Sequence, residues 1–346
     1  MKKMTVFLCL IFGLNLAGCG GTVSENDAQA VTDAKDDVQT QISDQSGTDT
    51  EQTTTQSDLE AGLKQYADAV PVVYMTGKIT PDSLLELYQS LGRKKKGKQT
   101  AVKISAGELS DESSPDPELF QKLVQAVNGT IVTGSTRDDL QPAKDQGLAQ
   151  IADVKVLDEG GSVTIPVGEG THLTENYVGT HFSEYDHYLL VSYFQGHAAA
   201  GFDGAVKNVS VGVSSVEGKC LIYSAGSSST DPRGAEQDMF LEAMAEAGKS
   251  VSDALNGNIL YINIMDHRAI DGGFANDAAG QSDREIGILA SSDPVALDQA
   301  SIDLVYMEDG SDTFVSWVEK LNGEYALEYA EEIGLGSSAY TLVSID

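Results

Sequence analysis

Short apolar runs alternate with longer amphipathic segments from residue 71 to the end of the chain. Val72–Met75, Ala101–Ile104 and Thr130–Thr133 have the length of buried strands, and each is followed by a stretch with helical periodicity. Pro81 and Pro117 stand where a proline favours the first turn of a helix. Because strands and helices alternate at the spacing of βαβ units, we predict an α/β fold with a mostly parallel sheet flanked by helices.

The remainder of the chain continues this pattern. The further predicted elements are helix Pro117–Val127, a helix near Leu140–Gln150, strand Val154–Leu157, strand His187–Tyr193, helix Glu236–Leu255, strand Ile259–Met265, strand Glu285–Leu289, a helix beginning at Asp293-Pro294, helices near Thr313–Leu321 and Ala326–Ile333, and strand Tyr340–Ser344. We find no internal repeat and no second low-complexity linker. One α/β domain over residues 66–346, with or without a division into two lobes, therefore fits the chain best.

The first 18 residues have the features of a secretory signal peptide. Two lysines precede an apolar run, Val6–Leu16, which is shorter than the roughly 20 residues that span a bilayer as a helix. The run ends in Leu16-Ala17-Gly18-Cys19, which resembles a bacterial lipobox. The resemblance implies cleavage before Cys19 and acylation of its thiol, and two or three acyl chains anchor a protein stably. An ordinary signal peptide with an incidental cysteine is the alternative.

Residues 19–65 are predicted to form a disordered linker. Residues 20–60 contain ten Asp or Glu against the single Lys35 and no aromatic residue, so this segment cannot bury enough apolar surface to fold. The whole chain carries a net charge of −31, which argues against a nucleic-acid partner. We therefore expect a protein that is tethered through Cys19 to the extracytoplasmic face of the cell membrane, with that membrane and a small molecule or ion as its partners.

Cysteine usage limits the cofactors that the domain can hold. Of the three cysteines, Cys9 leaves with the signal peptide and Cys19 is the predicted lipidation site, so only Cys220 remains in the domain. An intramolecular disulfide and an iron–sulfur cluster both need more cysteines than this. We expect no iron–sulfur cluster, and the sequence leaves any other cofactor unknown.

Glycines and polar residues follow three of the predicted strands. In a parallel α/β sheet, ligands bind beyond the carboxyl ends of the strands, where loops and helix N-termini meet. The candidate residues are His197, Gly201, Asp203, Gly204, Lys207 and Asn208 after the strand that ends at Tyr193, Asp266 and His267 after the strand that ends at Met265, and Asp293 after the strand that ends at Leu289. If the three strands are neighbours, these residues share one crevice.

Each candidate also has a purely structural interpretation. The glycines supply positive φ angles and close packing, or they bring backbone N–H groups to an anion. Lys207 is a surface lysine, or it binds a carboxylate or phosphate. Asp293 has the spacing of a helix N-cap before Pro294, and Asp298 is then a polar residue of the helix. Asp266 and His267 are of the residue types that bind divalent metals, although no tight ligand spacing supports a metal site.

Several of these segments resemble the family called domain of unknown function 362. The resemblance is carried by Gly196-His197, Gly201–Asn208, Ile286–Ser291, Asp293–Ala300 and Leu327–Gly336, and it runs from about Val72 to Asp346. Many members of that family carry clustered cysteines after the strand that corresponds to Ile259–Met265, whereas residues 266–273 of this chain contain none. The resemblance therefore implies the family scaffold without its iron–sulfur cluster. The pattern of histidine, glycines and lysine is also similar to lactate racemase proteins, which bind a nickel cofactor.

Three hypotheses follow from the sequence. The first is a membrane-anchored lipoprotein that binds a small ligand or ion in the glycine-rich crevice. The second is an enzyme that uses a metal or cofactor for redox or acid/base chemistry there, with His197 or Lys207 as acid or base. The third is a scaffold of a redox family that has no cluster and mediates protein contacts.

Overall fold

The computed structural model of the chain describes residues 70–92, 99–105, 116–134, 147–266, 269 and 285–346. These residues all belong to one compact unit, Val70–Asp346. The predicted signal peptide, Cys19 and the predicted linker lie outside the described residues, as does His267. No helix among the described residues is long and apolar enough to cross a membrane.

An eight-stranded sheet forms the centre of the unit, with two small two-stranded sheets beside it. The strands are β1 Val72–Thr76, β2 Thr100–Ser105, β3 Gly129–Thr133, β4 Val154–Val156, β5 Ser162–Pro166, β6 Glu175–Gly179, β7 His187–Tyr193, β8 Gln195–His197, β9 Gly201–Asp203, β10 Ile259–Met265, β11 Gly287–Ser291 and β12 Thr341–Ser344. The strand order in the large sheet is β12-β1-β11-β10-β7-β2-β3-β4. Only β11 runs antiparallel to its neighbours, so the predicted mostly parallel sheet is confirmed.

Helices cover both faces of this sheet. They are α1 Pro81–Ser90, α2 Pro117–Val127, α3 Ala205–Ser210, α4 Val216–Tyr223, α5 Gln237–Ala254, α6 Pro294–Tyr306, α7 Asp312–Lys320 and α8 Tyr325–Glu332. Helices α1 and α2 pack through Leu84, Leu87 and Phe120 on one face of the sheet. The other six helices enclose the larger core on the opposite face. The predicted α/β architecture is therefore a sheet between two helical layers.

Local capping explains why the first helices begin where they do. The hydroxyl of Thr80 accepts the N–H of Ser83 at 3.1 Å, and Ser83 Oγ accepts the N–H of Thr80 at 3.0 Å. Asp116 accepts the N–H of Glu118 in the same role before Pro117. These side chains satisfy backbone donors that a helix leaves open at its N-terminus, and the prolines need no donor there.

Several regions differ from the sequence-based expectations. The two hairpins, β5 with β6 and β8 with β9, and the helices α3 and α4 have no counterpart among the predicted elements. The predicted helix near Leu140–Gln150 is a single 3₁₀ turn, Leu148–Gln150, within the part that the structure describes, while residues 140–146 lie outside it. Strand β11 ends at Ser291, two residues later than predicted.

Candidate functional site

The glycine-rich stretch after β7 is a hairpin followed by a short helix. Strands β8 and β9 pair antiparallel, with Gly196 opposite Phe202 and His197 opposite Gly201. Helix α3 then begins at Ala205 and contains Lys207 and Asn208. Five of the six candidate residues of this stretch therefore lie on strands or in the helix, and the sixth, Gly204, directly precedes α3.

The backbone N–H groups at the start of α3 bind an anion that the protein itself supplies. Asp298 of α6 is fully buried and accepts the N–H of Ala205 at 2.7 Å and that of Val206 at 2.8 Å. Asn263 of β10 donates to the same carboxylate at 2.8 Å. Burial raises the pKa of Asp298 to about 7, although these three donors favour its charged form. Asp298 was expected to be a simple polar helix residue, and it is instead the residue that joins α3, α6 and β10.

Gly204 allows this contact because it has no side chain. A Cβ at Gly204 would lie 2.4 Å from Asp298 Oδ1, closer than real Cβ atoms approach any heavy atom. Its backbone is extended, with a φ of −153°, so close approach rather than a left-handed conformation requires glycine. Of the two interpretations for the glycines, close packing is the one that the geometry supports at Gly204.

A buried ion pair lies beside this junction. Lys207 Nζ donates to Asp203 Oδ2 at 3.0 Å, and the two side chains are only 13% and 3% exposed. Lys207 is therefore not a surface lysine. Burial lowers the pKa of His197 to about 4. The Lys207 ammonium acts in the same direction, and the Asp203 carboxylate acts in the opposite one.

The imidazole of His197 is held in one tautomer by its own hairpin. Its Nδ1 accepts the N–H groups of Ala199 and Ala200 at 3.2 and 3.1 Å. In the neutral ring the proton must then be on Nε2. His197, Asp203 and Lys207 thus form one group with a neutral imidazole, a carboxylate and an ammonium.

A second row of polar groups lies at the same edge, on the sheet itself. Ser192 of β7 pairs in register with Asn263 of β10, so their side chains lie on the same face. Asn208 Nδ2 donates to Ser192 Oγ at 3.1 Å and to the carbonyl of Val191 at 3.2 Å. Asn263 Nδ2 donates to Ser301 Oγ at 3.0 Å as well as to Asp298.

Three oxygens of this region have no hydrogen-bond partner among the described residues. They are Asp203 Oδ1, Asn208 Oδ1 and Asn263 Oδ1, and all three are buried. The orientation of both amides is fixed, because each nitrogen faces two acceptors and a flipped amide would place an oxygen against them. Each unmade hydrogen bond to a buried polar group costs about 1–3 kcal/mol. The three oxygens are therefore buried hydrogen-bond acceptors without a donor among the described residues.

Lys103 is a residue of this region that the sequence analysis missed. It lies in β2 opposite Leu190 of β7, is 6% exposed, and its ammonium reaches the carbonyl of Ile104 at 3.4 Å, toward the carboxyl end of the strand. Lysine is almost never buried without a partner. A charged residue inside the apolar run Ala101–Ile104 is the signal that identifies it.

Asp293 does not join this group, and the reason is the direction of β11. Since β11 is antiparallel to β10, with Ser291 opposite Tyr261, its carboxyl end lies at the other edge of the sheet. Asp293 Oδ1 accepts the N–H groups of Val295 and Ala296, and its Oδ2 accepts that of Ser337. The N-cap interpretation is confirmed. The same helix brings Asp298, five residues later, into the crevice instead.

Asp266 follows β10 at the predicted edge, whereas His267 lies outside the described residues. Within the described part of the chain, no three His, Cys, Asp or Glu side chains are close enough to hold a metal ion.

Comparison with solved structures gives matches at low identity and low TM-score. The lactate racemase apoprotein from Thermoanaerobacterium thermosaccharolyticum is 17% identical, with a TM-score of 0.40 over 67% of this chain and 56% of that one. A Thermotoga maritima protein solved by the Northeast Structural Genomics Consortium is 14% identical, with a TM-score of 0.34 over 73% of this chain and 58% of that one. The chain thus spans little more than half the length of either structure.

No curated protein matches the sequence. A family model does match, and it includes β2, the hairpin of β8 and β9, α3, β10 and most of α6. The model is described as a domain of unknown function (DUF362) and covers residues 100–303, more than half of the chain, so the chain belongs to the DUF362 family.

Proposed function

We propose that this protein binds a small neutral ligand at the carboxyl ends of β2, β7 and β10, and that the ligand donates hydrogen bonds. The observation that carries the proposal is a set of three buried oxygens, on Asp203, Asn208 and Asn263, that have no hydrogen-bond partner in the described part of the chain. The backbone N–H groups at the start of α3 already donate to Asp298, so they are not available to bind an anionic ligand.

The surrounding charges narrow the ligand further. Asp203 Oδ2 accepts a hydrogen bond from Lys207, whereas Asp203 Oδ1 has no hydrogen-bond partner among the described residues. Lys103 lies buried on the same face of the sheet, within one strand of Ser192. A neutral molecule with several hydroxyl or amine donors suits this mixture better than a simple divalent cation, which two nearby ammonium groups would repel. Ordered water is the competing occupant.

Native mass spectrometry of the full chain, purified from its own host, tests the proposal. We expect a bound small molecule on the wild type and its loss in Asp203→Asn and in Lys103→Met. Asp186→Asn is the matched control, since it makes the same substitution at the opposite edge of the sheet. Added back at about 100 times its Kd, the released molecule should stabilise the wild type by roughly 2.7 kcal/mol. A protein that carries only water and gains no stability from any extract fraction contradicts the proposal.

A second candidate function is catalysis at the same place. The observation that favours it is the neutral imidazole of His197 beside the buried Asp203–Lys207 pair, because such groups exchange protons with a substrate. Elemental analysis of the full chain, purified without chelators, separates the two candidates. A stoichiometric transition metal that is lost in His197→Ala supports a metal-dependent enzyme, and a metal-free protein argues for simple ligand binding.

We also propose that the domain is held at the extracytoplasmic face of the cell membrane through acylated Cys19. The support is the sequence Leu16-Ala17-Gly18-Cys19 after an apolar run, followed by a linker rich in Asp and Glu. A ligand-binding domain on such a tether would meet its ligand outside the cell.

A further inference from the structure

A polar cavity of about 460 Å³ lies at the amino ends of β2, β3 and β4, on the edge of the sheet opposite the crevice described above. Its volume falls in the range of about 300–1,000 Å³ that is usual for small-molecule sites. It is lined by Gln99, Thr100, Asn128, Thr130, Asp153, Val154, Lys155, Glu184 and Tyr185. None of these residues belongs to the site of the proposed function.

The stepped edge of the sheet creates this cavity. Strands β2 and β3 begin side by side, with Thr100 opposite Gly129. Strand β4 begins two residues further along, with Val154 opposite Ile131. The first residues of β3 are therefore left without a strand on that side, and the space beside Thr130 stays open.

One group at the floor of the cavity lacks a partner. The hydroxyl of Thr100 is buried, with the residue 1% exposed, and Oγ1 has no hydrogen bond among the described residues. A hydroxyl both donates and accepts, and leaving it unpaired costs about 1–3 kcal/mol. Thr100 lines the cavity, but its Oγ1 exposes less than 1 Å² there, so a ligand in the cavity reaches the hydroxyl when the side chain rotates about χ1.

The charges at the cavity are mostly neutralised within the protein. Lys155 Nζ lies 2.6 Å from Glu184 Oε2, and His181 Nδ1 lies 2.6 Å from Glu184 Oε1. Asp153 is the one further charged side chain among the lining residues. The remaining polar groups are the carboxamides of Gln99 and Asn128 and the hydroxyls of Thr100, Thr130 and Tyr185, of which the last two are hydrogen-bonded to each other. That composition suits a neutral ligand with several hydroxyl groups, and the half-buried Val154 and the buried ring of Tyr185 supply an apolar wall for its carbon face.

We propose that this cavity binds a neutral polyol of the size of a monosaccharide. The ligand hydroxyls would exchange hydrogen bonds with Thr100, with the carboxamides of Gln99 and Asn128, and with Asp153. This site is independent of the proposed function, since it lies at the other edge of the sheet and shares no residue with it.

Saturation-transfer NMR on the full chain with D-glucose, N-acetyl-D-glucosamine and myo-inositol tests this site. We expect a signal from at least one of the three, with affinity about tenfold weaker in Thr100→Val, because that change removes a hydrogen bond and keeps the shape. Asp153→Asn, at the exposed rim, is a second variant that does not disturb the sheet, and it should weaken binding as well. Thr133→Val is the matched control: it removes another buried, unpartnered hydroxyl, but at the carboxyl end of β3.

Three results overturn the proposal. They are the absence of a signal with all three polyols, a signal that Thr100→Val and Asp153→Asn both leave unchanged, and a signal that disappears in Asp203→Asn. The last result would move polyol binding to the crevice of the proposed function. Loss of the native-host ligand in Asp203→Asn without any change in polyol binding would support both sites separately.

Discussion

At the scale of single residues, Asp298 couples folding to pH. Burial raises the pKa of Asp298 from its ordinary value of 3.8 to about 7 in the folded protein. Between pH 3.8 and pH 7 the folded protein therefore binds a proton at Asp298 that the unfolded chain has released. Stability from this group is fully present below pH 4 and is lost as the pH rises through about 7. We expect the free energy of unfolding of the wild type, minus that of Asp298→Asn, to fall by a few kcal/mol over this range.

Urea unfolding at several pH values between 4 and 8 measures this difference. Asp253→Asn, which changes an exposed carboxyl of α5, is treated identically as the control. A wild-type minus Asp298→Asn difference that is constant or rises with pH would show that the buried carboxyl does not titrate as described.

A second buried carboxylate, Glu246 of α5, holds a loop in place. It accepts the N–H groups of Thr171, His172 and Leu173 and the hydroxyl of Tyr329, and it is 1% exposed. In Glu246→Gln an amide nitrogen would face backbone donors, so we expect a loss of about 2–4 kcal/mol in the free energy of unfolding.

Denaturant midpoints at unchanged m value give the size of this loss. Glu242→Gln, one turn earlier on α5, serves as the control, because its side chain is 18% exposed and binds only the side chains of His172 and Tyr325. We expect it to cost less than Glu246→Gln. Equal losses would mean that the backbone contacts of Glu246 are not what fixes the loop.

At the scale of elements, α3 can pack against α6 because Gly204 has no side chain. A methyl group at position 204 would overlap the Asp298 carboxylate that caps α3. We expect Gly204→Ala to lower the free energy of unfolding by about 1–3 kcal/mol, as overpacking does elsewhere. It should also weaken ligand binding in the crevice, because Asp203 and Asn208 flank the displaced segment.

Thermal or urea unfolding of Gly204→Ala beside Gly168→Ala provides the measurement. Gly168 has no neighbour within 4 Å of an added Cβ, so its substitution should change stability by no more than about 0.5 kcal/mol. If the two variants unfold alike, the close contact between Gly204 and Asp298 has no energetic role.

At the scale of the whole molecule, the proposed anchor, Cys19, precedes the described domain in the sequence. Substituting Cys19→Ser removes the thiol that would be acylated and leaves the α/β domain unchanged. We expect the variant to lose incorporation of an alkyne-labelled fatty acid and to leave the membrane fraction. A variant that still carries label and stays with the membrane would exclude Cys19 as the lipidation site, whatever the domain binds.

Much of the fold is determined by the sequence itself. Strands β7 and β10 and helix α2 begin and end at the predicted residues, because long apolar runs and a capped, proline-led helix are specified locally. The glycine-rich stretch with His197, Asp203, Lys207 and Asn208 was also identified from residue type and position alone. Family membership follows from the same segments.

Only the tertiary structure decided which residues meet. The sequence carries no signal for the direction of β11, since an antiparallel strand in a mostly parallel sheet has the same apolar composition as its neighbours. That direction places Asp293 at one edge and brings Asp298 to the other. The buried state of Lys103 and the three unpartnered oxygens likewise arise from contacts between residues distant in the chain, which local patterns do not encode.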